Sequence, residues 1–219
     1  MAGVKQKGDS VMDRKFRRPA MLDPEQAEEI IGDEDPSVES DMAHATAWAL
    51  MGVPAGGFSQ EDVDKAVAAV REQGADIVAA FWTRSPEFTL PGAFWRIYLL
   101  WQWHELNPEV VTQRYDEGVQ AMEARGVANE ESVPSLQDTL KAVQGVLFGY
   151  ATEEDLAPVF EAVAQVMRVM AAGVRFGPEW VTSDDHQLAH PVTRRPGALL
   201  ETANELDQSA LDARAGSLE

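Results

Sequence analysis

LPGAFWRIYLLWQWHEL, residues 90–106, decides the fold. Placed on a helix at about 100° per residue, its apolar side chains point in nearly every direction, and such a helix has to be wrapped by others on most sides. Ser85-Pro86 and Leu90-Pro91-Gly92 bracket the loop that leads into it. Asn107-Pro108-Glu109 then supplies a cap and a proline start for a following helix over 108–124 that stops at Gly126.

The flanking segments carry the same period. Asp23-Pro24, with Gln26 and first-turn carboxylates, starts a short helix over 24–31, and Gly32 ends it. A second helix spans 37–51, where Met42, Ala45, Trp48 and Ala49 share an inward face, before a glycine-rich break at 52–57. Ser59 caps the next helix, whose stripe is Val63, Ala66, Val67 and Val70. Residues 75–83 follow Gly74 as a helix rather than as the strand DIVAAFW, because the neighbours are helical and no partner strand is present. Leu136, Leu140, Val143, Val146 and Leu147 mark a helix from about 135 to 149. Thr152-Glu153-Glu154-Asp155 starts a last core helix over 153–173, with Leu156, Phe160, Val163, Met167 and Met170 inward and Pro158 bending or delaying its first turns. Residues 181–197 are polar and proline-punctuated. Beyond them Leu199, Leu200, Ala203, Leu206, Ala210 and Leu211 recur at helical spacing.

These segments make a single all-α, multi-helix domain of six or seven helices around the Trp-rich helix, with flexible N- and C-terminal segments. Residues 1–36 hold a basic arm, the short helix and an acidic linker; 37–180 form the all-helical core domain; 181–219 are a polar tail ending in an amphipathic helix. At 219 residues the chain is long enough for one sizeable core.

Composition narrows the function classes. With no cysteine there is no disulfide scaffold, thiolate zinc site or cysteine nucleophile, which suits a cytoplasmic protein. The opening residues MAGVKQKGDSVMDRKFRRP carry charges where a signal peptide needs its apolar centre, and no uninterrupted apolar run reaches the length of a membrane span, so no membrane partner is expected. The net charge of −19 opposes binding of a polyanion by the folded body. The charge is uneven: residues 1–20 carry six cations against two carboxylates, and residues 21–41 carry nine carboxylates and no cation.

Four groups of residues are candidates for function. Arg96, Trp101, Trp103, His104 and Glu105 lie on the aromatic helix, where eight of the 17 aromatic residues fall within residues 81–103, and they could contact a ligand or partner. Adjacent helical residues point about 100° apart, so His104 and Glu105 do not make an evident acid–base pair. Leu199, Leu200 and Leu206 give the C-terminal helix an apolar stripe that docks onto the body or onto another protein. Arg14, Lys15, Arg17 and Arg18, with Phe16 among them, would meet phosphates if nucleic acid were a partner, although pairing with the acidic stretch is the simpler use. Asp184, Asp185, His186 and His190 offer metal-ligand types with the histidines at i and i+4, but Pro191 follows and no HExxH glutamate is present.

No nucleotide loop, GxSxG elbow or EF-hand loop occurs, so neither metal nor cofactor is expected. The leading expectation is a non-enzymatic, cytoplasmic protein-interaction or adaptor module using its charged termini and C-terminal amphipathic helix, with an unidentified protein as partner. The alternatives are a small-ligand binder or enzyme with a pocket beside helix 90–106, and a nucleic-acid-associated regulator acting through the basic arm.

Overall fold

The computed structural model describes residues 36–128, 130–174 and 196–218. They form α1 (Pro36–Leu50), α2 (Gln60–Gln73), α3 (Asp76–Trp82), α4 (Leu90–Leu106), α5 (Pro108–Glu123), α6 (Leu136–Leu147), α7 (Glu153–Val174) and α8 (Pro196–Ala215), with a 3-10 turn at Glu130–Ser132. The described residues are thus all-helical and contain no strand. They hold eight α-helices where six or seven were expected, because α8 adds to the seven within 36–174. The expected helix over 24–31, the basic arm and residues 181–195 lie outside the described residues.

Local chemistry explains several helix ends. The Ser59 hydroxyl accepts the Asp62 N–H at 3.3 Å while the Asp62 carboxylate accepts the Ser59 N–H at 3.0 Å, a reciprocal box that starts α2. At α7 the Asp155 carboxylate accepts both the Thr152 N–H and its hydroxyl, at 2.8 and 2.9 Å. Pro158 sits inside α7 without delaying its start. The Glu154 carbonyl that loses its donor there belongs to an exposed residue. Thr89 caps α4 by accepting the Gly92 N–H at 3.2 Å. At the end of α6, Gly149 takes a φ of +66°, letting the Tyr150 N–H reach the Gly145 carbonyl at 2.8 Å and close the last turn.

Packing follows from composition. α4 buries Leu90, Ala93, Phe94, Ile97, Tyr98, Leu99, Leu100, Trp101 and Trp103, and it touches α1, α3, α5, α6, α7 and α8. α1 buries Ala43, Thr46, Ala47 and Leu50 as well as the expected Ala45 and Ala49, while Met42 and Trp48 are half-buried. Small residues allow the closest crossing: a Cβ on Gly118 of α5 would overlap the Val169 carbonyl of α7, and one on Gly173 would lie 2.9 Å from the Gly118 nitrogen.

α7 is long and apolar enough to cross a membrane by length and composition, yet 67% of its most apolar window is buried inside this body. Its hydropathy is accounted for by the helices around it: α5 and α8 pack along it, with α6 and α4 also in contact.

Candidate functional site

The helix singled out by its aromatics presents two separate environments. Near its start, Arg96 is mostly buried; its Nε donates to the Glu205 carboxylate of α8 at 2.6 Å, and one terminal nitrogen donates to the Gly92 carbonyl at 2.8 Å. That is the partner a buried guanidinium needs. Near its end, His104 lines an open groove of about 790 Å³ between α5 and the start of α6, with Glu109, Asp116, Glu117 and Gln137 among its walls. Arg96 and His104 are eight residues apart, about 12 Å along the axis. They do not converge on one cavity.

His104 Nδ1 and a Glu105 carboxylate oxygen are 3.8 Å apart, too far for a hydrogen bond. Glu105 is exposed. Trp101 and Trp103 are 9% and 1% exposed, so neither indole forms a surface for a partner. Trp101 meets Phe148 edge-on with ring centroids 5.6 Å apart, and Trp103 lies under the Arg114 guanidinium at 4.7 Å. The Trp103 indole N–H is buried with no hydrogen-bond acceptor among the described residues.

Tyr98, between these aromatics, stacks on Trp95 and donates its hydroxyl to the Asp76 carboxylate at the start of α3. Burial first, then this bond and the nearby negative charge, hold the phenol well above the ordinary tyrosine range.

The C-terminal stripe is engaged. Leu199 and Leu206 are fully buried and Leu200 is half-buried, with α8 lying along α7 and reaching α4. Arg168 of α7 bonds Asn204 and Asp207, and Arg214 of α8 bonds both carboxylate oxygens of Glu161. Of the two destinations open to this stripe, the body takes it in this structure. Arg14, Lys15, Arg17, Arg18, Asp184, Asp185, His186 and His190 lie outside the described residues. Among the described residues no cluster of three or more histidines or carboxylates could hold a metal ion.

Two features escape the sequence pattern. One is the set of ion pairs binding α8, whose partners lie 39 to 109 residues apart. The other is an apolar lip on α3. Ile77 and Phe81, at i and i+4, are 39% and 38% exposed while Val78, Ala79 and Trp82 are buried; Phe88, in the loop after α3, is 57% exposed. The spacing of Ile77 and Phe81 opposite Trp82 is the signal that separates them from the core aromatics.

No protein-family model matches the sequence, and no match emerges among curated proteins or solved structures.

Proposed function

We propose that this chain is a non-enzymatic protein-interaction module of the cytoplasm, folded about α4 and contacting its partner through the apolar lip of α3. The observation that carries the reading is the outward pair Ile77 and Phe81 on a helix whose opposite side is anchored. Large apolar side chains exposed on one helix face mark interaction sites more often than scattered single residues do. Rigid aromatic anchors lose little conformational freedom on binding. Here the rigidity comes from Trp82, fully buried and hydrogen-bonded through its indole to Thr46 of α1 at 3.1 Å. Because Leu199 and Leu206 are buried against the body, the contact face is better sought on α3 than on the stripe of α8. The absence of cysteine fits a module that needs no disulfide in a reducing compartment.

Photo-crosslinking in living cells tests this. A benzophenone amino acid placed at Phe81 and Phe88 should yield a discrete protein adduct, whereas the same group at exposed Gln208 of α8 should not. An adduct at Gln208 with none at Phe81 or Phe88 rejects the lip as the contact face, and no adduct at any position rejects the interaction reading.

A further inference from the structure

We infer that α8 is a strap held on α7 and α4 by guanidinium catches, and that it releases from the body as a unit before the rest of the fold opens. Its ties are regular. Glu161 and Arg168 of α7 are seven residues apart, and so are their partners Arg214 and Asp207 on α8, which runs antiparallel. Seven residues are two helical turns, about 10.5 Å, so the two pairs tie the helices at matched levels. A third tie comes from α4, where Arg96 takes Glu205. Among the described residues, the hydrogen bonds between α8 and the body each have a guanidinium on one side.

The apolar seal beneath these ties holds few large side chains. The stripe that α8 buries is Leu199, Ala203, Leu206 and Ala210, with Thr202 and Ser209 buried beside it; only two of these are large hydrophobic side chains. By contrast α7 buries Leu156, Val159, Phe160, Val163, Val166, Met167, Val169 and Met170. Burial free energy scales with apolar area, so α8 draws less of its hold from large apolar side chains than α7 does.

Release also leaves few polar groups stranded. The Ser209 hydroxyl bonds the Glu205 carbonyl inside α8 and keeps that bond when the helix leaves. Arg96 keeps the Gly92 carbonyl. Glu161, Asp207 and Arg214 are partly exposed already, so water completes their solvation. What release uncovers is an apolar strip on α4 and α7 edged by Arg96 and Arg168, complementary to an acidic amphipathic helix of the pattern α8 itself carries.

Hydrogen exchange on the full chain tests the strap. The amides of α8 should exchange about tenfold or more faster than the inner amides of α7, and they should exchange faster still as salt is raised to about 1 M, since salt screens half-exposed pairs. Arg168→Gln should accelerate α8, whereas Gly118→Ala, which strains the α5–α7 crossing that stays closed when α8 leaves, should accelerate α7 and leave α8 unchanged. Exchange of α8 and α7 at one common rate in both salts overturns the inference. So does an Arg168→Gln variant that leaves α8 unaccelerated, or a Gly118→Ala variant that accelerates α8 as much as α7.

Discussion

The indole N–H of Trp82 on α3 donates to the hydroxyl of Thr46 on α1, 3.1 Å away, and that hydroxyl in turn donates into its own helix, toward the Met42 carbonyl at 2.8 Å. Both residues are buried, and Trp82 also meets Phe94 of α4 edge-on at 5.4 Å between centroids. One short chain of bonds therefore joins α1 and α3 at the place where α3 turns its other side outward.

Thr46→Val keeps the volume and removes the acceptor, stranding a buried indole N–H at a cost of about 1–3 kcal/mol. Trp82→Phe removes the donor while Thr46 keeps its helical carbonyls. The two losses should not add. In a double-mutant cycle read by chemical denaturation, the pair should show a coupling of about 1 kcal/mol; a coupling indistinguishable from zero rejects the bond as a tie between the helices.

Two glycines inside helices should respond to alanine in opposite directions. Gly118→Ala puts a methyl into the Val169 carbonyl, which is backbone and cannot swing aside, so α5 and α7 must separate. Overpacking of this kind typically costs about 1–3 kcal/mol and sometimes more. At Gly145 of α6 an added Cβ meets nothing within 4 Å. Gly145→Ala should stabilise by about 0.5–1 kcal/mol, through reduced freedom of the unfolded chain and better helix propensity. Denaturation midpoints of the two variants check both signs.

Tyr98 predicts alkaline behaviour. Its phenol is held above the ordinary range by burial first and by Asp76 second. A raised phenol favours the neutral form in the fold, so its contribution is complete below the ordinary tyrosine value, near pH 10, and fades as pH rises toward the folded value. The thermal midpoint should therefore fall as pH climbs past about 10, and Tyr98→Phe should flatten that fall. An equally steep fall in the variant would show that another group controls it.

The residues differ in how legible they are from sequence. Caps are short-range, so Ser59 with Asp62 and Thr152 with Asp155 announce α2 and α7 within four residues. The segment DIVAAFW is helical because its buried residues, Val78, Ala79 and Trp82, fall at i, i+1 and i+4, a helix face and not an alternating strand face. Arg96 stands out as a charge on an apolar helix, but its partner Glu205 is 109 residues away and looks like any solvated carboxylate of α8. Gly118 gives no local sign of its crossing either, since its need for space is set by Val169 on another helix. The apolar stripe of α8 is visible in the sequence, whereas its choice of the body over a partner depends on Glu161, Arg168 and Arg96 arriving beside it.

Acid behaviour separates two caps that look alike. Asp62 and Asp155 are both held below the ordinary carboxylate value, and so is Glu161 beside Arg214. A lowered carboxylate stabilises the fold above its unfolded value, near 4, and the contribution is lost as pH falls through the folded one. The leading causes differ: at Asp62 it is the Ser59 hydroxyl, and at Asp155 it is the Thr152 backbone N–H. Removing a hydroxyl deletes the first and spares the second. Ser59→Ala should therefore raise the Asp62 midpoint more than Thr152→Ala raises that of Asp155, measured by carboxyl carbon chemical shifts over a pH titration. Equal shifts would mean that the backbone N–H dominates both boxes.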